Sequence, residues 1–205
     1  MAMRNIVKDG DPVLKKVSRP VTKFDDRLAE LLDDMGETML EADGLGLAAP
    51  QVGILRRIFV ALDITAEEEK DEEELEEMEE DEEGEEGDVP EEEEAPPHVL
   101  EFINPEILET EGNILGYEGC LSFPGQYGAI ERPTKVTVKA QDRTGKELTL
   151  TVTGMMARCV CHETNHLDGI TIPDLAQYFY DPKNPHELDD NFATEDETQE
   201  EDGEE

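Results

Sequence analysis

Two acidic runs decide how much of this 205-residue chain can fold. Residues 67–94 hold 21 Asp or Glu and one Lys, and residues 187–205 hold 11 with no Lys or Arg. Together they carry −31 of the formal charge of −38, leaving about −7 for the rest, an ordinary value for a folded domain. A block that repels itself and has almost no apolar side chains to bury is expected to be extended and disordered. The chain therefore reads as a single domain over 1–180, interrupted by an acidic insertion at 66–97 and followed by an acidic tail at 181–205. Removing both runs leaves on the order of 150 residues, enough for one hydrophobic core.

Within that domain the periodicities are mixed. Residues 24–42 read as an amphipathic helix, with Leu28, Leu31, Leu32, Met35 and Met39 on one stripe and Asp25 and Asp26 at its positive end. Residues 57–64 and 99–103 are apolar and β-branched enough for strands. Val136, Val138 and Ala140 alternate, Asp142-Arg143-Thr144-Gly145 suits a turn, and Leu148, Leu150 and Val152 alternate again, which predicts a β-hairpin. Residues 154–168 then read as a second helix, with Met155, Cys159, His162, Glu163 and His166 on one face that continues the core stripe. Strands before and after a buried helix, without βαβ alternation, predict an α+β fold: antiparallel strands packed around a central helix carrying a His-Glu-x-x-His run.

That run, at 162–166, is where chemistry enters. Residues four apart share a helix face, so His162 and His166 can reach one ion, with Glu163 beside them where a base could take a proton from water. A catalytic centre of this type wants a third protein ligand. Cys120, in the Glu-Gly-Cys-Leu-Ser run at 118–122 and expected in a Gly-flanked turn, is the candidate. A third segment, Gly44-Leu45-Gly46-Leu47-Ala48-Ala49-Pro50-Gln51, has the small residues that let another group approach the backbone. It reads equally as a helix C-terminus capped by Gly44 and entering a strand.

Taken together, the three segments resemble the peptide deformylase family. Its Gly-φ-Gly-φ-Ala-Ala-x-Gln pattern (φ apolar) and its Glu-Gly-Cys-Leu-Ser pattern match at every specified position. Its Gln-His-Glu-x-Asp-His-Leu-x-Gly pattern matches at His162, Glu163, His166, Leu167 and Gly169, but has Cys161 in place of Gln and Asn165 in place of Asp. The likeness continues at Gly10-Asp11-Pro12-Val13-Leu14, Asn104-Pro105 and Arg132-Pro133, covering roughly 3–65 and 98–175.

The resemblance implies a metal-dependent hydrolase that removes the N-terminal formyl group from the initiator methionine of nascent chains and releases formate. It implies one divalent ion, iron(II) physiologically with zinc or nickel also accepted, held by Cys120, His162 and His166. Glu163 would be the general acid/base, with the Gln51 side-chain amide and the Leu121 backbone N–H as oxyanion donors. The backbone at Gly44, Leu45, Gly46 and Gly119 would pair with the substrate peptide. Cys159 and Met155 read equally as core residues and as walls of a methionine pocket. Asn165, facing the family's matching Arg132, is expected to weaken a tether between helix and loop. Cys161, about 100° round the helix from His162, is expected to be buried.

Composition sets the remaining expectations. No apolar run approaches the roughly 18 residues of a membrane span, and three Cys do not make a disulfide framework, so the expected setting is the cytoplasm. The resemblance implies formylated nascent peptides as partners, with transient proximity to the ribosome, and neither DNA nor membrane is expected. An acidic tail would be repelled by rRNA, so it is not expected to dock there. The enzymatic rival is a zincin-type protease, which needs a third ligand downstream of the helix, where Asp174 and Glu187 are the weak candidates. The rival from another class is a metal-buffering, polyacidic protein without catalysis.

Overall fold

The computed structural model describes residues 2–65 and 97–180. Apart from Pro97, the acidic insertion expected at 66–97 and the tail expected at 181–205 lie outside the described residues. The elements run α1 (Asp26–Glu41), β1 (Gly46–Ala48), β2 (Ile58–Leu62), β3 (Val99–Glu111), β4 (Ile114–Cys120), β5 (Phe123–Arg132), β6 (Lys135–Gln141), β7 (Glu147–Thr153), α2 (Gly154–Leu167), α3 (Ile172–Leu175) and β8 (Tyr178–Phe179). Two antiparallel sheets result, one of five strands in the order β1-β2-β3-β6-β7 and one of three in the order β4-β5-β8. This is the α+β architecture that the periodicities predict.

β2 shows why the layers form. Its sequence Ile-Phe-Val-Ala-Leu is apolar throughout, so alternate side chains enter different cores. Ile58 and Val60 pack with Leu28, Leu31, Leu32, Met35 and Met39 of α1. Phe59 and Ala61 join Met156, Ala157, Val160 and Leu167 of α2, with Val136, Val138 and Val152 from the neighbouring hairpin. Phe59 stacks on its cross-strand partner Phe102 at a centroid separation of 4.4 Å. The five-stranded sheet is thus covered by α1 on one face and by α2 on the other. Each fully buried Leu, Ile or Met contributes about 1.5–3 kcal/mol. α1 starts where Asp25 accepts from the Leu28 N–H as its cap.

Several expectations are corrected here. β3 continues eight residues past Ile103, because Asn104 adopts a left-handed φ of 51° and two bulges re-aim the strand. The Asn104 side chain accepts from Val21 N–H and donates to Val21 O, tying the bulge to the N-terminal segment. The chain turns out of α1 at Asp43, whose φ of 51° takes the left-handed role expected of Gly44. Gly44 is required for space instead: a Cβ there would lie 2.8 Å from the Leu121 side chain. Cys120 ends strand β4, beside a bulge, rather than sitting in a free-standing turn. Met155 is 47% exposed and leaves the core stripe to Met156, which is fully buried.

Candidate active site

Strand β4 and helix α2 meet at one end of a cavity of about 600 Å³. Cys120 closes the strand, and His162 and His166 stand one turn apart on the helix. One ligand atom from each lies within 4.8 Å of the other two, and Cys120 Sγ is 3.3 Å from His166 Nε2. Among the described residues this is the one Cys/His/Asp/Glu cluster compact enough to hold an ion, and its third donor is Cys120 rather than a carboxylate downstream. The donor set fits a divalent metal of the zinc or iron type, since a thiolate and two imidazoles suit either.

Glu118, two residues before the cysteine, organises this centre. It is buried and receives two hydrogen bonds from Arg132, at 2.7 and 2.8 Å, and one from Arg158 at 3.1 Å. Its Oε2 accepts from His162 Nδ1 at 2.9 Å, which turns the other ring nitrogen, Nε2, toward the ligand cluster. Burial would push the Glu118 carboxyl up, but the Arg132 and His162 hydrogen bonds prevail and hold it at about 2. Burial likewise opposes charge on His162, yet hydrogen bonds to Cys120 and Glu118 raise it to about 10. Burial, then the neighbouring charges of His162 and Arg132, drive His166 well below its ordinary value. In the metal-free centre, therefore, His162 keeps the proton that a cation would displace, and His166 offers a ready lone pair.

Glu163 is 3% exposed, its Oε2 has no hydrogen-bond partner, and burial is the main cause lifting its carboxyl to about 7. A buried carboxylate oxygen left free beside a ligand cluster has what a proton acceptor needs. Space for it comes from Gly46, where a Cβ would sit 2.6 Å from Glu163 Oε1 and 2.8 Å from Cys159 Sγ.

Gln51 belongs to a 3₁₀ turn, Ala49–Val52, that follows β1. Its Oε1 accepts from Ala48 N–H at 2.8 Å, which orients the amide and turns Nε2 toward Cys120 Sγ, 3.4 Å away, and Ser122 Oγ, 3.3 Å away. Gln51 is 1% exposed, so it is not the surface amide that a strand end would give. Gly44, Leu45, Gly46, Gly119 and Leu121 all line the same cavity, as do Met155, Cys159 and Tyr127. His166 lies behind it, fully buried.

Asn165 Oδ1 accepts from Arg132 at 2.6 Å, the pairing expected for it, and Cys161 is buried. The roles of Glu118 and Arg158 were not legible from the motifs. An acidic residue between Tyr117 and Gly119 in a Gly-rich stretch carries no sequence signal of burial.

Comparison with known proteins agrees with this geometry. The family model described as polypeptide deformylase matches residues 3–179. The peptide deformylase of Caldicellulosiruptor bescii is 46% identical over 174 residues, covering 85% of this chain and 86% of that protein. Peptide deformylase 1 of Clostridium acetobutylicum is 44% identical, with 85% and 95% covered. The crystal structure of the Thermotoga maritima peptide deformylase superposes with a TM-score of 0.69 at 37% identity, covering 87% of this chain and all of that one. The chain belongs to the polypeptide deformylase family.

Proposed function

We propose that Cys120, His162, His166, Glu163, Gln51 and Leu121 are the working residues of a peptide deformylase in this chain. The enzyme is a metal-dependent amide hydrolase that removes the formyl group from the N-terminus of nascent peptides. The observation that carries the residue assignment is the meeting, at one cavity, of the Cys120 and His162 donors with His166 directly behind them, a free buried carboxylate oxygen and an oriented amide N–H.

A divalent cation held by Cys120, His162 and His166 would supply Lewis acidity to water and to the formyl oxygen; iron(II) is the physiological ion we assign, with zinc and nickel as alternatives. Glu163 takes a proton as the water oxygen forms its bond to the formyl carbon. Gln51 Nε2 and the Leu121 N–H donate to the oxygen as negative charge builds on it. Glu163 then delivers the proton to the nitrogen as the C–N bond breaks, leaving formate and a free amine. The lifted carboxyl of Glu163 suits both halves of this exchange.

β1 is an edge strand of its sheet, paired to β2 on one side. Its other side opens on the cavity through Gly46, so a substrate could add to it in extended form, with Leu45, Gly46 and Gly119 supplying backbone groups. Met155 and Cys159 wall the same space, in keeping with a methionine side chain. Among the described residues no helix is long and apolar enough to cross a membrane. Cytoplasmic action close to the ribosome is part of the proposal.

Purified, anaerobically handled protein should release formate from formyl-Met-Ala-Ser and leave unblocked peptides intact. Cleavage of internal peptide bonds would favour the protease reading. Equal formate release after stripping with EDTA would overturn the metal mechanism.

A further inference from the structure

The N-terminal segment does more than enter the fold. Between two anchors it runs past both sides of the site. Upstream, Arg4 Nε and Nη2 both donate to Oδ2 of the buried Asp34 of α1. Downstream, Asp11 caps the 3₁₀ turn Pro12–Lys15. Between them, the Val7 N–H donates to Gln51 O at 2.7 Å and the Asp9 N–H donates to Ser122 O at 2.9 Å. Lys8 Nζ donates to Leu121 O at 2.7 Å, and Lys8 itself lines the cavity. Three consecutive residues thus grip the two segments that carry the assigned oxyanion donors, Gln51 and Leu121. These segments otherwise meet through contacts of Gln51 Nε2 with Cys120 Sγ and Ser122 Oγ, at 3.4 and 3.3 Å.

The geometry matters because oxyanion donors work by being fixed before the charge appears. Leu121 and Ser122 form the tight connection between β4 and β5, where the pairing register shifts just before Cys120. A connection beside a register shift has few ladder bonds of its own to hold its N–H groups in one direction. The Lys8 ammonium supplies a charge-assisted bond to the carbonyl of the very residue whose N–H is the assigned oxyanion donor.

We propose that Lys8 is a positioning residue for this reaction: its ammonium, bonded to the Leu121 carbonyl, holds the 121–122 connection so that the Leu121 N–H points at the substrate oxygen. The inference rests on the deformylase reading of the site. It acts through Leu121, so it should affect the chemical step more than substrate affinity.

The test compares metal-loaded parent with Lys8→Met, which keeps the length and loses the charge, and with Lys8→Arg. On formyl-Met-Ala-Ser, Lys8→Met should lower kcat roughly tenfold with KM within about twofold, short of the ~100-fold cost of a 1 Å misplacement. Metal content and Tm should match the parent, and Lys8→Arg should restore most of kcat. Separately from turnover, the Leu121 and Ser122 amides should exchange with deuterium faster in Lys8→Met. A rise in KM alone would make Lys8 a substrate-gripping residue and overturn the proposal. So would unchanged kcat and exchange, or loss of activity in step with Tm. A parent that releases no formate would sink the deformylase reading, and the amide exchange would still decide whether Lys8 holds the connection.

Discussion

Glu118 accepts a hydrogen bond from His162 Nδ1 at 2.9 Å while its other contacts are all to arginine. One buried carboxylate therefore orients the proposed ligand His162 and offsets half of the charge on the guanidinium pair behind it. Its protonation links the stability of the fold to the readiness of the site.

The pH consequence follows from the direction of the shift. The Glu118 carboxyl is held at about 2, below its ordinary 4.5, so its stabilisation is complete above about pH 4.5. It is lost as pH falls through that value toward 2, and amounts to roughly 3 kcal/mol. A Tm series from pH 7 to pH 2 should fall steeply over that window. In Glu118→Gln the slope there should flatten, from a lower Tm at pH 7.

Metal binding should release protons. His162 in the metal-free protein keeps its proton up to about 10, and a cation at Nε2 must displace it. Titrations at pH 7 in buffers of different ionisation enthalpy should show at least one proton released per ion. Release of none would mean that His162 does not carry this proton in the metal-free protein. Cys120→Ser should weaken binding, because a hydroxyl is a poor ligand at neutral pH.

Glu163→Ala should keep the metal and lose nearly all turnover, since the proton acceptor goes while the three ligands stay. Metal content by elemental analysis beside formate release separates the two roles. Joint loss would make Glu163 a structural residue.

Gly46→Ala should act on the same group by another route. The added Cβ would meet Glu163 Oε1 at 2.6 Å and Cys159 Sγ at 2.8 Å. The carboxylate must shift, so kcat should fall by at least tenfold. A Gly46→Ala, Cys159→Ser protein should recover none of it, because the Glu163 contact remains.

Asn165→Asp should stabilise the protein. Arg132 and Arg158 share one carboxylate, Glu118, and Asn165 Oδ1 already sits 2.6 Å from Arg132. A second negative charge there turns a neutral acceptor into an ionic one, a gain of about 1 kcal/mol, or several degrees in Tm. The gain should shrink in an Arg132→Gln background. An unchanged Tm would remove the charge argument.

What the sequence disclosed depended on how strongly each residue's spacing expresses its surroundings. α1, β2, the β6–β7 hairpin and α2 follow apolar periodicity, and each is found close to its expected bounds. The β4–β5 hairpin was not foreseen, because Gly116, Gly119, Pro124, Gly125 and Gly128 resemble turn residues when read in order. They serve close approach: a Cβ at Gly116 would meet the Arg158 guanidinium at 2.5 Å, and one at Gly128 would meet Ile172 at 2.5 Å. His162, His166 and Cys120 stand out in the motifs as candidate ligands, and the fold brings them together. Glu118 and Lys8 do not stand out, since hydrogen bonds across 44 and 113 residues leave no local pattern.

The β2–β3 hairpin closes just before the chain leaves the described domain. Asp63 N–H donates to His98 O at 2.8 Å, and the two side chains pair at 3.0 Å. Departure and return are therefore stapled side by side, and the cavity walls include no residue from this junction. The junction is a natural socket. A reporter or affinity domain with neighbouring termini could replace residues 67–94 there, and turnover of a small formylated peptide should stay within about twofold of the parent, because such a cargo would hang from a closed hairpin.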